Sequence, residues 1–111
     1  MAAFYMMDKE QEIVNRELEA EYGISLHGIV SEQEIIDKLA LQVGVIAEKG
    51  PDAFFQLMYR LDIPEKRLTL AMIDKEAAIE IAKLIYNRQL QKVRSRAFYK
   101  KSHKNDDDLT W

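Results

Sequence analysis

The residues of this chain most able to do chemistry are basic ones close to its end. From Lys83 to Lys104 there are eight Lys or Arg and no Asp or Glu. Residues spaced four apart lie along one side of an α-helix. Five of these cations have that spacing, and we call them the cation row: Arg88, Lys92, Arg96, Lys100 and Lys104.

A surface built on the cation row would suit a polyanion. Clustered Lys and Arg neutralise phosphates without reading the base sequence, and aromatic rings among them can stack on the bases of single strands. An acidic protein or a membrane surface would be attracted by the same charge. The predicted partner surface consists of Arg88, Lys92, Arg94, Arg96, Phe98, Tyr99, Lys100, Lys101 and Lys104.

The alternative is that the chain neutralises these cations itself. Residues 1–50 carry four basic and ten acidic residues, whereas residues 51–111 carry twelve and nine. Glu10, Glu17 and Glu21 flank the apolar stripe of the predicted first helix, where they could lie beside the cation row, and Asp106–Asp108 could fold back on the basic end. The net charge of −3 and the pI near 5.4 also count against a dedicated nucleic-acid-binding protein.

An apolar stripe of Leu90, Val93 and Ala97 runs along the same predicted helix. A helix of about 27 residues would be ~40 Å long, whereas a compact domain of this size is roughly 34 Å across. We therefore expect the last turns to extend beyond the bundle and to expose the stripe. A second copy would cover it, and two-fold dimers are the commonest assemblies, so the sequence predicts a homodimer with this stripe as its seam.

Residue patterns for catalysis or metal binding are missing from the sequence. There is no cysteine, and the two histidines, His27 and His103, belong to no ligand motif. Asp106–Asp108 lacks the glycine and the distal glutamate of a calcium loop. Nucleotide-binding and hydrolase motifs are also missing, so we expect a protein without enzymatic activity, cofactor or metal.

Two weaker patterns lie in the middle of the chain. The segment QLMYRLDIPEKRLTLAM resembles a helix-turn-helix, but Asp62 and Pro64 stand where Gly and Ser or Thr are usual; we prefer an ordinary helix–helix corner. Tyr59 and Tyr86 lie on otherwise apolar faces and are expected in the core. The alternative is a ligand pocket, which these two tyrosines would line with Phe55, Met58 and Met72.

Five helices are expected to position these residues, because Gly and Pro are scarce and helix formers dominate. Gly23 should end the first helix, and Ser31 with Glu34 has the pattern of a capping box. Gly44 inside the second helix predicts close approach to another helix. The predicted helices run from Ala2 to Tyr22, from Ser31 to Lys49, from Pro51 or Asp52 to Leu61, from Asp62 with Pro64 in the first turn, and from Asp74 to about Lys101. The alternative for the last two is one bent helix, because no Gly or Pro separates them.

The predicted fold is all-α, a single compact bundle of about five helices around a long C-terminal helix. It covers residues 1–101 and is followed by a polar, acidic tail at residues 102–111. Residues 77–86 are apolar almost all round, which is typical of a central helix. No apolar run is long enough to span a membrane, and a cytoplasmic location is expected. The predicted function is that of a small, non-enzymatic interaction or structural protein.

Overall fold

The computed structural model describes residues 9–24, 26 and 31–110, with side chains as far as residue 100. Five helices and no strand are found in these residues, which confirms the all-α fold and the long C-terminal helix. The helices are α1 (Lys9–Tyr22), α2 (Glu32–Glu48), α3 (Pro51–Arg60), α4 (Glu65–Met72) and α5 (Ala77–Thr110). The predicted start of the first helix at Ala2 lies outside the described residues.

The predicted end of α1 and the N-cap of α2 are confirmed. Gly23 follows α1 with φ +67°, a conformation that glycine adopts without a Cβ clash. Ser31 is the N-cap of α2, and its hydroxyl accepts a hydrogen bond from the Glu34 amide at 3.2 Å. This bond satisfies one of the amides that a helix start leaves unpaired.

The prediction that Asp62 caps the fourth helix is wrong. Asp62 instead follows α3 as its left-handed residue, with φ 62°. The Asp62 amide donates to the Tyr59 carbonyl at 3.0 Å and the Ile63 amide to the Met58 carbonyl at 3.1 Å, which is the Schellman pattern of a helix C-terminus. Pro64 is the N-cap of α4. Residues 56–72 therefore form a helix–helix corner in which Asp62 takes the backbone conformation usual for glycine.

A short turn separates α4 from α5. Asp74 accepts a hydrogen bond from the Glu76 amide at 2.9 Å, and α5 begins at Ala77. Helix α5 continues to Thr110, farther than the predicted end near residue 101. The two helices are thus distinct, and the polar segment 102–110 continues the last helix.

Helix α5 is the central element, as its apolar first half predicts. It packs against α1, α2 and α4, and Ala82, Ile85 and Tyr86 are fully buried. Two packing predictions are wrong. Tyr59 is 87% exposed, and a Cβ at Gly44 would meet no atom within 4 Å, so Gly44 does not mark a close helix–helix approach.

The molecule is elongated because α5 is longer than the bundle. The principal extents are 51 × 38 × 23 Å, and a 34-residue helix is itself about 51 Å long at 1.5 Å per residue. The radius of gyration is 16.1 Å, against roughly 13 Å for a compact domain of this size. Every described side chain from residue 94 to 100 is exposed. The outer part of α5 therefore projects from the bundle.

Candidate functional site

The first two residues of the cation row bind the end of α3. Arg88 donates from Nε to the Asp62 carbonyl at 3.1 Å and from its guanidinium to the Asp62 carboxylate. Lys92 donates to the Leu61 carbonyl at 3.2 Å. These carbonyls belong to the negative end of the α3 dipole, where cations are favourable. Arg88 and Lys92 thus join α5 to the C-terminus of α3.

The Asp62 carboxylate carries the electrostatic signature of this contact. The hydrogen bond from Arg88, with the positive charge of that guanidinium, holds the pKa of Asp62 below its usual range. The carboxylate is largely exposed, so the pair lies at the protein surface. Its main structural effect is to orient Arg88, which also donates to the Gln91 side chain at 3.1 Å.

The third residue of the row, Arg96, is paired with α1. Its guanidinium donates to both carboxylate oxygens of Glu17, at 2.6 and 2.7 Å, and the hydrogen bond to Glu17 raises the pKa of Arg96. The same carboxylate accepts a 2.8 Å hydrogen bond from the Gln89 amide. Because Gln89 is only 3% exposed, Glu17 supplies the acceptor for a buried donor as well as the counterion for Arg96.

A second ion pair lies on the other side of the α1–α5 contact. Arg94 Nε is 3.3 Å from both carboxylate oxygens of Glu10. In a helix, Arg94 and Arg96 lie on opposite sides of Val93, so the two pairs with α1 flank this residue. The predicted position of Glu10 and Glu17 beside the cations is therefore correct.

This arrangement changes the interpretation of the predicted dimer seam. Val93 is 4% exposed within the single chain, and Leu90 packs partly buried against the same core. Of the three seam residues, only Ala97 is exposed. The expectation that Val93 and Leu90 are left open for a second copy is wrong, because the chain itself covers them.

The outer part of the predicted surface lies beyond Arg96, on the projecting turns of α5. Phe98 is 74% exposed and Tyr99 is 62% exposed, and Lys100 is exposed beside them. Lys101 and Lys104 belong to α5, but their side chains lie outside the described residues. The structure thus divides the predicted partner surface into an inner part that contacts α1 and α3 and an outer part that lies beyond these contacts.

Sequence reasoning missed two contributors to these contacts. Gln89 is polar, yet it occupies the buried stripe between Tyr86 and Val93, where its three- and four-residue spacing was a usable signal. Arg60 lies 5.4 Å over the ring of Tyr22 and donates to the Glu21 carbonyl at 3.1 Å. Burial raises the pKa of Tyr22, and the charge of Glu21 adds to this effect. No sequence pattern placed Arg60 beside α1.

The five residues of the alternative ligand pocket do not line one cavity. Tyr86 and Met58 lie in the core, whereas Tyr59 is exposed. Phe55 and Met72 line an open apolar groove of about 430 Å³ next to Gly44, where α2, α3, α4 and α5 meet. Among the described residues, no three His, Asp or Glu side chains are arranged to hold a metal ion, and no helix is long and apolar enough to span a bilayer.

Comparisons with known proteins give no match. No protein-family model matches the chain, and neither the curated proteins nor the solved structures contain a significantly similar one. The function must therefore be inferred from the geometry of α5 and its contacts.

Proposed function

We propose that this chain is a small, non-enzymatic interaction module that forms a homodimer through the outer part of its last helix. We call residues 97–110 the α5 extension. One observation carries the proposal: α5 runs past the bundle with Phe98 and Tyr99 exposed on it. A cytoplasmic location belongs to the same proposal.

The energetics of an isolated helix support a partner for the α5 extension. Helices shorter than about 12–15 residues are marginal in water, because tertiary packing supplies most of their stability. The described side chains of the extension are exposed, and Phe98 presents an aromatic ring to solvent. Covering such a ring removes apolar surface from water, at about 25 cal/mol per Å². Association would therefore stabilise both the helix and its exposed ring.

The pairing of the inner cations supports a protein partner over a nucleic acid. Arg88, Arg94 and Arg96 each have a carboxylate of the same chain within hydrogen-bonding reach. A phosphate would have to displace these carboxylates before it could use the arginines. This lowers the number of phosphates that the surface can neutralise, and with it the affinity.

The direct test is the molar mass in solution. We expect light scattering at high micromolar concentration to give a mass near twice 12.9 kDa. Phe98→Ala should weaken the dimer about tenfold or more, as expected for an aromatic residue central to an interface. Tyr59→Ala is the matched control, because Tyr59 is an even more exposed helical aromatic outside the extension. A wild-type monomer at these concentrations would overturn the proposal, and so would equal effects of the two variants.

The second candidate function is binding of single-stranded nucleic acid at the tip of the same surface. Exposed Phe98, Tyr99 and Lys100 are neighbours there, and rings beside cations suit stacked bases. In that case affinity should fall linearly with salt on a log–log scale, and Lys100→Ala should flatten the slope. We expect no binding to single strands or duplexes at low salt. Binding with this slope would replace the homodimer proposal.

A further inference from the structure

The apolar groove where α2, α3, α4 and α5 meet has room for a side chain from outside. Among the described residues, no charged or polar side chain lines it, and four of its lining residues are glycine or alanine. A Cβ at Gly44 would meet no atom within 4 Å, so the groove is open there. Phe55 and Met72, which also line it, are each about half-exposed. A ring placed in this groove would therefore remove apolar surface from water on both sides of the contact.

We propose that in the homodimer Phe98 of each copy docks into this groove of the second copy. This inference rests on the proposed function and names the surface that receives the α5 extension. Each copy then supplies one ring and one groove. The two contacts are related by a two-fold axis, so the assembly closes after two chains.

The position of Phe98 suits it to enter the groove of a partner. It is 74% exposed on the turns of α5 that project from the bundle. Tyr59, Leu70 and Ile73 are also exposed, but they lie on the bundle itself. A ring on a projecting helix can enter a concave site without a collision between the two bundles, whereas a side chain on the body of the bundle cannot reach as far.

The length of α5 excludes the same contact within one chain. Ile81 lines the groove, and it stands 17 residues before Phe98 on the same continuous helix. At 1.5 Å per residue the two positions are about 25 Å apart along the helix axis. The ring therefore cannot reach its own groove, and docking requires a second chain.

The charges beside the ring and beside the groove are of opposite sign. Lys100 is exposed two residues after Phe98, and the sequence has no acidic residue from Lys83 to Lys104. The segments next to the groove residues, 48–52 and 74–76, hold four acidic and two basic residues. One of these acids, Asp52, lines the neighbouring cleft together with Phe55. Opposite charges of this kind favour encounter in the proposed orientation, and salt should weaken the dimer because it screens them.

The size of the two contacts predicts a weak dimer. A buried aromatic side chain removes about 150–250 Å² from solvent, whereas a standard interface buries roughly 800 Å² on each partner. One docked ring per copy supplies only part of that area. We therefore expect a dissociation constant in the micromolar range or weaker.

Substitutions in full-length protein remove the ring and the groove separately. Phe98→Ala removes the ring, and Gly44→Leu places a side chain in the open space of the groove. Each should raise the dissociation constant of the homodimer about tenfold or more. Phe55→Ser, at a half-exposed lining residue, should also weaken it and tests the groove without adding volume. Val45→Leu, at the next residue of α2 but outside the groove, is the control for Gly44→Leu, and circular dichroism checks that every variant remains helical.

A mixture of two variants tests whether the contact is reciprocal. A homodimer of Phe98→Ala or of Gly44→Leu has no intact contact. Their heterodimer keeps one, from Phe98 of the Gly44→Leu chain to the groove of the Phe98→Ala chain. Native mass spectrometry resolves the heterodimer, because the two chains differ in mass. We expect it to outweigh the two homodimers combined, whereas random pairing gives equal amounts.

The outcomes separate this inference from the proposed function. A monomeric wild type would overturn both. A wild-type dimer that is weakened by Phe98→Ala but unchanged by Gly44→Leu and Phe55→Ser would keep the proposed function and overturn the docking, as expected if the groove takes an apolar ligand or another protein. Random pairing in the mixture would also overturn the docking, since a contact between the two Phe98 rings leaves the heterodimer without an advantage over both homodimers.

Discussion

The contact of α1 with α5 predicts that Glu17 and Glu10 differ in their effect on stability. Both are glutamates of α1 that pair with an arginine of α5, so Glu17→Ala and Glu10→Ala remove the same atoms from the same helix. Their helix-propensity changes should therefore largely cancel. The difference lies in Gln89, whose buried amide donates a hydrogen bond to Glu17.

The magnitudes follow from burial. The side chains of Glu10 and Arg94 are 40% and 58% exposed, so their pair should contribute about 0.2–1 kcal/mol. Glu17 is 20% exposed, and its removal leaves a buried donor without this acceptor, at about 1–3 kcal/mol, besides the loss of the largely exposed Arg96 pair. We expect Glu17→Ala to cost about 2 kcal/mol and to lower Tm by about 8 °C or more.

Urea and thermal unfolding followed by circular dichroism measure both variants, at a concentration low enough to keep association out of the transition. A double-mutant cycle with Gln89→Leu isolates the buried hydrogen bond, since the leucine removes the donor. We expect Glu17→Ala to cost less in that background, with a coupling of about 1 kcal/mol. Equal costs for Glu17→Ala and Glu10→Ala, or a coupling near zero, would refute the argument.

Two further predictions concern glycine and pH. Gly44→Ala should raise the free energy of unfolding by up to about 1 kcal/mol, because the new Cβ meets open space and alanine is the better helix former. Gly50→Ala, at φ +117°, should lower the free energy of unfolding. Urea unfolding measures both variants, and a Gly50→Ala protein more stable than the Gly44→Ala protein would contradict the prediction. Acid should weaken the contact between Asp62 and Arg88, which joins α3 to α5. The pKa of Asp62 is held below its unfolded value. The stability from this contact is therefore present above about pH 4 and is lost as the pH falls through the folded-state pKa. The difference in unfolding free energy between wild type and Asp62→Asn should therefore shrink on acidification, and a difference that stays constant from neutral to acidic pH would contradict the role given to Asp62.

Local features of the fold could be predicted from the sequence because they depend on a few adjacent residues. The hydroxyl of Ser31 reaches the Glu34 amide within one helical turn, and Gly23 needs only its own backbone freedom. Asp62 was misassigned because aspartate serves both as an N-cap and as a left-handed residue. The choice depended on Arg88, which lies 26 residues away.

The candidate site was harder to predict because it depends on which helices meet. The pairing of Glu10 and Glu17 with the cations followed from charge balance. The same packing of α1 against α5 also covers Val93, which was expected to be exposed. Gln89 was missed because a polar residue on a buried stripe is recognised only once its acceptor is known. Tyr59 shows the reverse case, since its apolar sequence neighbours suggested burial on a face that the structure leaves exposed.

The central claim is that the α5 extension holds two copies of this chain together. Sedimentation equilibrium of the wild-type protein, over concentrations up to the high micromolar range, tests it most directly. The predicted result is an average mass that rises from 12.9 kDa toward twice that value, with Phe98→Ala shifting the rise to higher concentration and Tyr59→Ala leaving it in place. A mass that stays at 12.9 kDa throughout, or a rise that Phe98→Ala does not shift, would contradict the claim.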